Sequence, residues 1–395
     1  MIPRHMSEQI LEAATTYPVV AVTGPRQSGK TTLCRELFPA HAYVNLERPE
    51  VRQFAIADPN GFLAQFTQPV ILDEVQRVPD LFSTIMPLVD EHKRMGEFIL
   101  SGSQNFHLQE AISQSLAGRC ATLKLLPFSF RELNRKPNHD IFRIGEETAD
   151  MPDEPGNAFR SILYGGYPPI HDRSIRPTNW YAQYTQSYLE RDVRQLVNVG
   201  DLETFERFLR LAAGRSGQIL NMESLANDVG ISSVTVKRWI SLLSASYIVF
   251  LLKPHARNFN KRLIRTPKLY FYDTGLLCYL LGIRSVKDLE LHSQRGAIFE
   301  TYIISEFYKS CFNAGVEPPL YYWRDAQGHE VDLIIEDGEK LYPVEIKSGQ
   351  TVAGSMLDEL NYWRKLDRSQ GGMLVYGGSE NYTRSGIQVR SWAAI

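Results

Sequence analysis

Residues 19–37, VVAVTGPRQSGKTTLCREL, decide how the rest of the chain is read. A short β-branched run, VVAVT, meets a G-x-x-x-x-G-K-[ST] loop, GPRQSGKT at 24–31, and the residues after it have helix-forming character. Such a loop turns successive backbone N–H groups toward an anion and sets a helix N-terminus behind them, which is the geometry that cradles phosphate groups. Gly24 and Gly29 permit the tight path. Pro25, Arg26, Gln27 and Ser28 line the loop between them, Lys30 reaches toward β and γ phosphates, Thr31 offers a hydroxyl to a magnesium ion, and Thr32 begins the helix. Working outward, VILDE at 70–74 is an apolar strand ending in two acids. Asp73 stands where a metal shell needs a carboxylate, and Glu74 where an attacking water needs a base. The cofactors expected are therefore ATP and Mg2+, and the expected reaction is ATP hydrolysis.

Around this site the first 130 or so residues alternate β-branched runs with helical stretches, the pattern of a parallel sheet covered on both faces. Predicted strands are 19–23, 42–46, 69–73, 98–101 and 121–125. FILSGSQNF at 98–106 ends a strand in Ser103, Gln104 and Asn105, candidates to sense a γ phosphate. SLAGR at 115–119 offers Arg119, a cation for a phosphate in its own site or in the next subunit of a homo-oligomer.

The segments GPRQSGKTTL (24–33), YVNLERPE (43–50), VILDEVQ (70–76), ILSGSQNF (99–106), SLAGR (115–119) and LLPFSFREL (125–133) resemble, in this order, the bacterial and archaeal AAA-type ATPases whose C-terminal half is a domain of unknown function. YGGYP (164–168), SYLERDV (187–193) and LYFYDTGLL (269–277) carry the likeness over nearly the whole chain. The resemblance implies an ATPase core of the additional-strand, catalytic-glutamate class, with Lys30, Glu74, Ser103 and Arg119 as candidate catalytic groups. It implies no particular physiological substrate.

The expected organisation is an ATPase core at 1–135, a linker and helical segment at 136–200, a winged-helix module at 201–275 and a nuclease-like α/β domain at 285–395. The stretch from Asn134 to Asn157, rich in Pro, Asn, Asp and Glu, reads as a linker or exposed loop. After Gly217, two helices separated by a turn at Gly230 have helix-turn-helix spacing, with Ser232 as N-cap and Val234, Val236, Trp239, Ile240 and Leu243 as the buried set. Ser233, Thr235, Lys237 and Arg238 fall on the polar face, the residue types that contact duplex DNA. The following KPHARNFNKRLIRTPK, 253–268, has six Lys or Arg and no acid, so Lys261 and Arg262 read as part of a basic wing. Packing or oligomerisation modules share this pattern.

In YYWRDAQGHEVDLIIEDGEKLYPVEIKSG (321–349) two strands flank a turn at 336–339. Glu345 and Lys347 alternate onto one face and can join Asp332 around one cation, with oxygen ligands that suit magnesium. This resembles the PD-(D/E)xK nuclease motif, and Glu300 matches the acid that superfamily often supplies from its first helix. A cross-strand salt bridge would show the same residues.

Composition bounds these readings. The chain has 395 residues, with 43 Lys+Arg against 45 Asp+Glu, so no general polyelectrolyte attraction to nucleic acid exists and DNA contact, duplex or single-stranded, must come from local patches. Four scattered cysteines suit a reducing compartment, and the longest apolar run, 247–252, is too short to span a bilayer, so a cytoplasmic protein with no membrane partner is expected. Two other classes fit the same residues: a regulatory ATPase switch whose C-terminal domains bind a protein partner without cutting DNA, and a nucleotide-binding component without turnover.

Overall fold

The computed structural model describes residues 2–103, 115–143, 156–189, 193, 202–256, 265–367 and 371–395. β1 (Val19–Thr23) is buried along its whole length, and its two faces go to different cores. Val20 and Val22 join a cluster with Met6, Ile10 and Leu33, while Val19 and Ala21 pack with Leu72, Phe82 and Leu100. That division follows from strand alternation: a strand apolar on both faces must be covered on both. β2 (Ala42–Asn45), β3 (Val70–Asp73), β4 (Phe98–Gly102) and β5 (Cys120–Lys124) complete a five-stranded sheet of order β2-β3-β4-β1-β5. Every pair in it is parallel. β4 is thus the additional strand between β1 and β3, and the register Thr23–Gly102 and Asp73–Ser101 brings three carboxyl ends to one edge.

The residues after the sheet are not a free linker where they are described. Asn138 Nδ2 donates to the Ser310 carbonyl at 2.9 Å, and Ile141 is buried. From Asn134 to Arg143 the described residues form neither helix nor strand and most are exposed, as a loop would be, while Ile141 and Asn138 anchor the stretch to the core. Helices Ala158–Tyr164 and Pro177–Tyr188 follow.

In the middle of the chain, helices Met222–Val229 and Ser233–Ala245 are separated by Gly230, whose φ of 81° closes the first helix in the left-handed conformation that glycine tolerates best. Ser232 caps the second by accepting from Thr235 N at 3.1 Å. Trp239 packs against Phe205 and Phe208. Val234, expected in the core, is 76% exposed: it lies in the first turn, beyond the neighbouring helices that cover Val236 and Trp239. Behind these helices stands a three-stranded antiparallel sheet of order β6-β8-β7, from Gln218–Ile219, Lys268–Phe271 and Val249–Leu252.

The long helix Arg295–Asn313 leads into a six-stranded sheet of order β13-β14-β12-β11-β10-β9. β9 (Leu320–Arg324), β10 (Glu330–Asp337) and β11 (Lys340–Lys347) form an antiparallel meander. Helix Asp358–Asp367 then returns the chain so that β12 (Met373–Tyr376) runs parallel to β11. β13 (Tyr382–Arg384) and β14 (Ile387–Ser391) finish the sheet. One apolar cluster runs continuously from Met6 through the middle helices to Ile395. Among the described residues, no helix is long and apolar enough to cross a membrane.

Candidate functional site

The loop after β1 takes a path open to few side chains. Gly24 has φ of 150°, and a Cβ there would lie 2.1 Å from the Leu125 carbonyl oxygen. Gly29 has φ of 95° and forms the N-cap of helix Lys30–Leu37. Pro25 and Ser28 are buried, Arg26 and Gly29 half-buried, and Gln27 and Thr32 exposed at the rim. Lys30 is buried, its ammonium donating to the carbonyls of Gly24 at 3.1 Å and Pro25 at 2.7 Å. Burial pulls it from 10.5 down to about 8, partly countered by Glu74 and Asp73.

Asp73, at the end of β3, accepts three hydroxyls. Thr31 Oγ1 lies 3.1 and 3.0 Å from its two carboxylate oxygens, Tyr43 Oη donates to Oδ2 at 2.9 Å, and Ser101 donates to Oδ1. The Tyr43 phenol is pushed up to about 12 by burial and by Asp73 beside it. Glu74 sits at φ 56°, ψ 38°, a left-handed conformation uncommon outside glycine, and its Oε2 accepts from Gln76 Nε2 at 2.6 Å. Ser103 follows β4 with a buried hydroxyl that has no partner among the described residues. Gln104 and Asn105 lie outside them.

Two features of the site carry no local sequence signal. Arg4, 8% exposed, bonds to Glu132 Oε1 at 3.0 Å, to the Ser28 carbonyl at 2.9 Å and to the Leu126 carbonyl at 2.6 Å, stacking over Phe128. It clamps the loop from behind. In front, a cleft of about 640 Å³ is bounded on one side by Gly29–Thr32 and Glu74, and on the other by Pro168, Arg173, Trp180 and Tyr184.

Arg119 does not join its own site. Its carbonyl accepts from Val19 N, so it lies at the amino end of the sheet, about 16 Å from the phosphate loop at the strand rise of about 3.3 Å per residue. Its guanidinium forks onto Asp90 at 2.6 and 2.8 Å. The arginine precedes β5, whereas nucleotide groups sit where strands end, so of the two expected placements only that in a neighbouring subunit is left open.

A second group of charges lies in the C-terminal sheet. Asp332 Oδ2 accepts from Ile346 N at 2.9 Å and stands 3.7 Å from Lys347 Nζ, which also donates to Glu345 Oε1. Glu300 accepts from Lys268 at 3.2 Å and from Tyr270. Burial raises Glu300 to about 7, with Lys268 opposing and Asp332 reinforcing the shift. Glu345 is raised strongly by burial and by Asp332. Asp332, Glu345, Glu300 and Lys347 are therefore brought together. Among the described residues, however, no three His, Cys, Asp or Glu side chains form a group able to hold a metal ion. Lys268, the last residue of the run read as a basic wing, is instead 3% exposed and paired with Glu300 and Glu330. Lys237 and Arg238 are exposed, while Lys261 and Arg262 lie outside the described residues.

The family described as AAA domain matches residues 16–134, and two described as domains of unknown function, DUF8612 and DUF4143, match 157–287 and 295–395. The uncharacterized protein Rv2008c of Mycobacterium tuberculosis is 33% identical over 353 residues, spanning 88% of this chain and 74% of the relative. The uncharacterized protein MJ1544 of Methanocaldococcus jannaschii is 21% identical over 335 residues, 80% of this chain and 72% of its own. Among solved structures, a Walker-type ATPase of Pyrococcus abyssi aligns with a TM-score of 0.42 at 15% identity, covering 71% of this chain and 96% of that one. The chain therefore belongs to the family of the mycobacterial protein Rv2008c, and its N-terminal part is an AAA domain of the P-loop ATPase type.

Proposed function

We propose that the chain binds and hydrolyses ATP with magnesium at the loop 24–31, and that nucleotide state governs how its middle and C-terminal parts engage DNA. The observation that carries the nucleotide reading is the contact of Thr31 with both oxygens of Asp73, at 3.0 and 3.1 Å, within one side chain of Lys30. All donors at this point are oxygens, and Asp73 is fixed by hydroxyls from three elements, a set that suits a hard divalent cation. Magnesium, when bound, neutralises charge developing on the phosphates. Thr31 and Asp73 hold it. Lys30 exchanges the Gly24 and Pro25 carbonyls for phosphate oxygens, and Glu74 orients the attacking water once Gln76 releases it. Ser103, with its hydroxyl buried and without a partner among the described residues, takes the γ phosphate.

Support for the DNA part is more local. Ser233, Lys237 and Arg238 present an exposed polar face on the second of two helices with a tight turn between them. In the C-terminal part the order helix, three antiparallel strands, helix, parallel strand gathers Glu300, Asp332, Glu345 and Lys347, consistent with a nuclease-like centre. Phosphate release by wild type and Glu74→Gln, each with and without duplex and single-stranded DNA, tests the proposal. Equal release by the two proteins removes the ATPase reading. Turnover indifferent to both DNA forms, with DNA affinity insensitive to salt, favours a switch that binds a protein partner instead.

A further inference from the structure

Two stretches that the phosphate loop does not account for, YGGYP at 164–168 and LYFYDTGLL at 269–277, meet in one buried joint. Asp273, 2% exposed, lies two residues beyond β8. Its Oδ1 accepts from Leu276 N at 2.9 Å, as the cap of helix Thr274–Leu280, and from Tyr181 Oη at 2.6 Å. Its Oδ2 accepts from Gly166 N at 2.8 Å. A carboxylate is costly to bury unless it is hydrogen-bonded, and these three donors offset that cost. The joint leaves no room for side chains. A Cβ on Gly165, which has φ of 63°, would lie 2.5 Å from Asp273 Oδ1, and one on Gly275 would lie 2.3 Å from Tyr181 Oη. The Gly166 carbonyl accepts from Phe128 N at 2.8 Å, and Phe128 lies under the Arg4 guanidinium that braces Ser28.

What the joint fixes is the far wall of the cleft in front of the phosphate loop. Pro168 follows Gly166 by two residues, and a Cβ placed on Gly29 would lie 3.8 Å from its Cγ. Tyr181 packs edge-on against Trp180 with 5.0 Å between ring centres, and Trp180 lines the cleft beside Tyr184. The loop's N–H groups take phosphates, so the sugar and base of a nucleotide extend into the cleft, whose apolar lining comes from this wall. We propose, resting on the reading of loop 24–31 as an ATP site, that Asp273 is a positioning residue for that site. Its carboxylate pins Gly166, and the pin holds Pro168 and Trp180 at the spacing from the loop that a bound nucleotide needs. Asp273 acts through the wall and touches no reacting atom. Because the same carboxylate caps the helix after β8, the far wall is registered to the middle of the chain and not to the sheet that carries Asp73.

Asp273→Ser separates the two tasks of the carboxylate, since serine still caps Leu276 N but is too short to reach Gly166. In steady-state phosphate release, KM for ATP is expected to rise about tenfold with kcat within about threefold of wild type, because Lys30, Thr31, Asp73 and Glu74 are untouched. A purely structural role would lower kcat through a smaller active fraction and leave KM alone. That result overturns the proposal, as does a variant equal to wild type. Should Asp273→Ser fail to fold, Tyr181→Phe decides, because it removes only one hydroxyl from the joint. KM raised about threefold in it supports the positioning role, and unchanged KM overturns it. If the wild type releases no phosphate from ATP, the ATP reading falls and the positioning role with it, a result distinct from any change confined to the variants.

Discussion

The hydroxyl of Thr23, the last residue of β1, lies 2.7 Å from the phenol of Tyr247, which is 224 residues away in the chain and buried. Tyr247 itself holds φ of 57°, between the helix that presents Lys237 and Arg238 and the strand β7. A buried pair of hydroxyls of this kind contributes about 1 kcal/mol net, and its partners are coupled. Tyr247→Phe and Thr23→Val should each lower stability by about 1 kcal/mol, and the double variant by less than their sum. Urea unfolding of the four proteins measures the coupling; strictly additive losses would show that the two groups do not interact.

Arg4 makes a different kind of contact, because Glu132 beside it has a fully buried side chain. Removing the guanidinium strands that carboxylate without its counter-charge, a change that costs about 3–5 kcal/mol. Arg4→Met should therefore destabilise far more than Arg4→Met with Glu132→Gln. The carbonyl of Ser28 loses its brace in both, so nucleotide affinity should fall in both. Thermal unfolding together with titration of a fluorescent nucleotide separates the two effects. A single variant as stable as the double would contradict the buried-pair argument.

For Arg119 the expectation is the opposite. The side chain pairs with Asp90 at the exposed amino end of the sheet, and surface pairs contribute little. Arg119→Ala should leave turnover within twofold of wild type in dilute protein. A loss of tenfold or more at a concentration where the protein is monomeric would put the guanidinium back into its own site.

These contacts mark what the sequence could and could not disclose. The loop 24–31 and the strand ending in Asp73 and Glu74 were legible because phosphate binding and metal holding demand fixed residue types at fixed local spacing. The two strands carrying Asp332 and Glu345 were legible through strand alternation and the turn between them, while β9 beside them was not. Strand order was not, since nothing local in β4 says that it inserts between β1 and β3; only the family likeness implied it. Arg4, Tyr43 and Tyr247 escaped notice because each finds its partner far along the chain. Lys268 misled for the same reason: within a run of basic residues it reads as solvated, and only β8 pairing reveals that it faces Glu300. Val234 shows the limit of periodicity, which fixes the apolar face of a helix but not how far along it the covering elements extend.

Lys30 allows a prediction whose sign can be worked out. Burial brings its ammonium down to about 8 in the nucleotide-free protein, from 10.5. In the unfolded chain the lysine keeps its proton over that window while the folded protein loses it. Folding stability should therefore rise between about pH 8 and 10.5, the penalty for burying the charge being fully present below 8. Nucleotide binding runs the other way. Phosphate oxygens bind the protonated form, so ATP affinity should be flat below about pH 8 and decline above it, approaching tenfold per pH unit. Lys30→Met should bind weakly at every pH without that decline. Titrations of nucleotide across pH 6.5–9.5, roughly centred on the expected midpoint of about 8, measure this. A wild-type profile parallel to that of Lys30→Met would mean that another group titrates and that Lys30 does not carry the proton phosphate recognition requires.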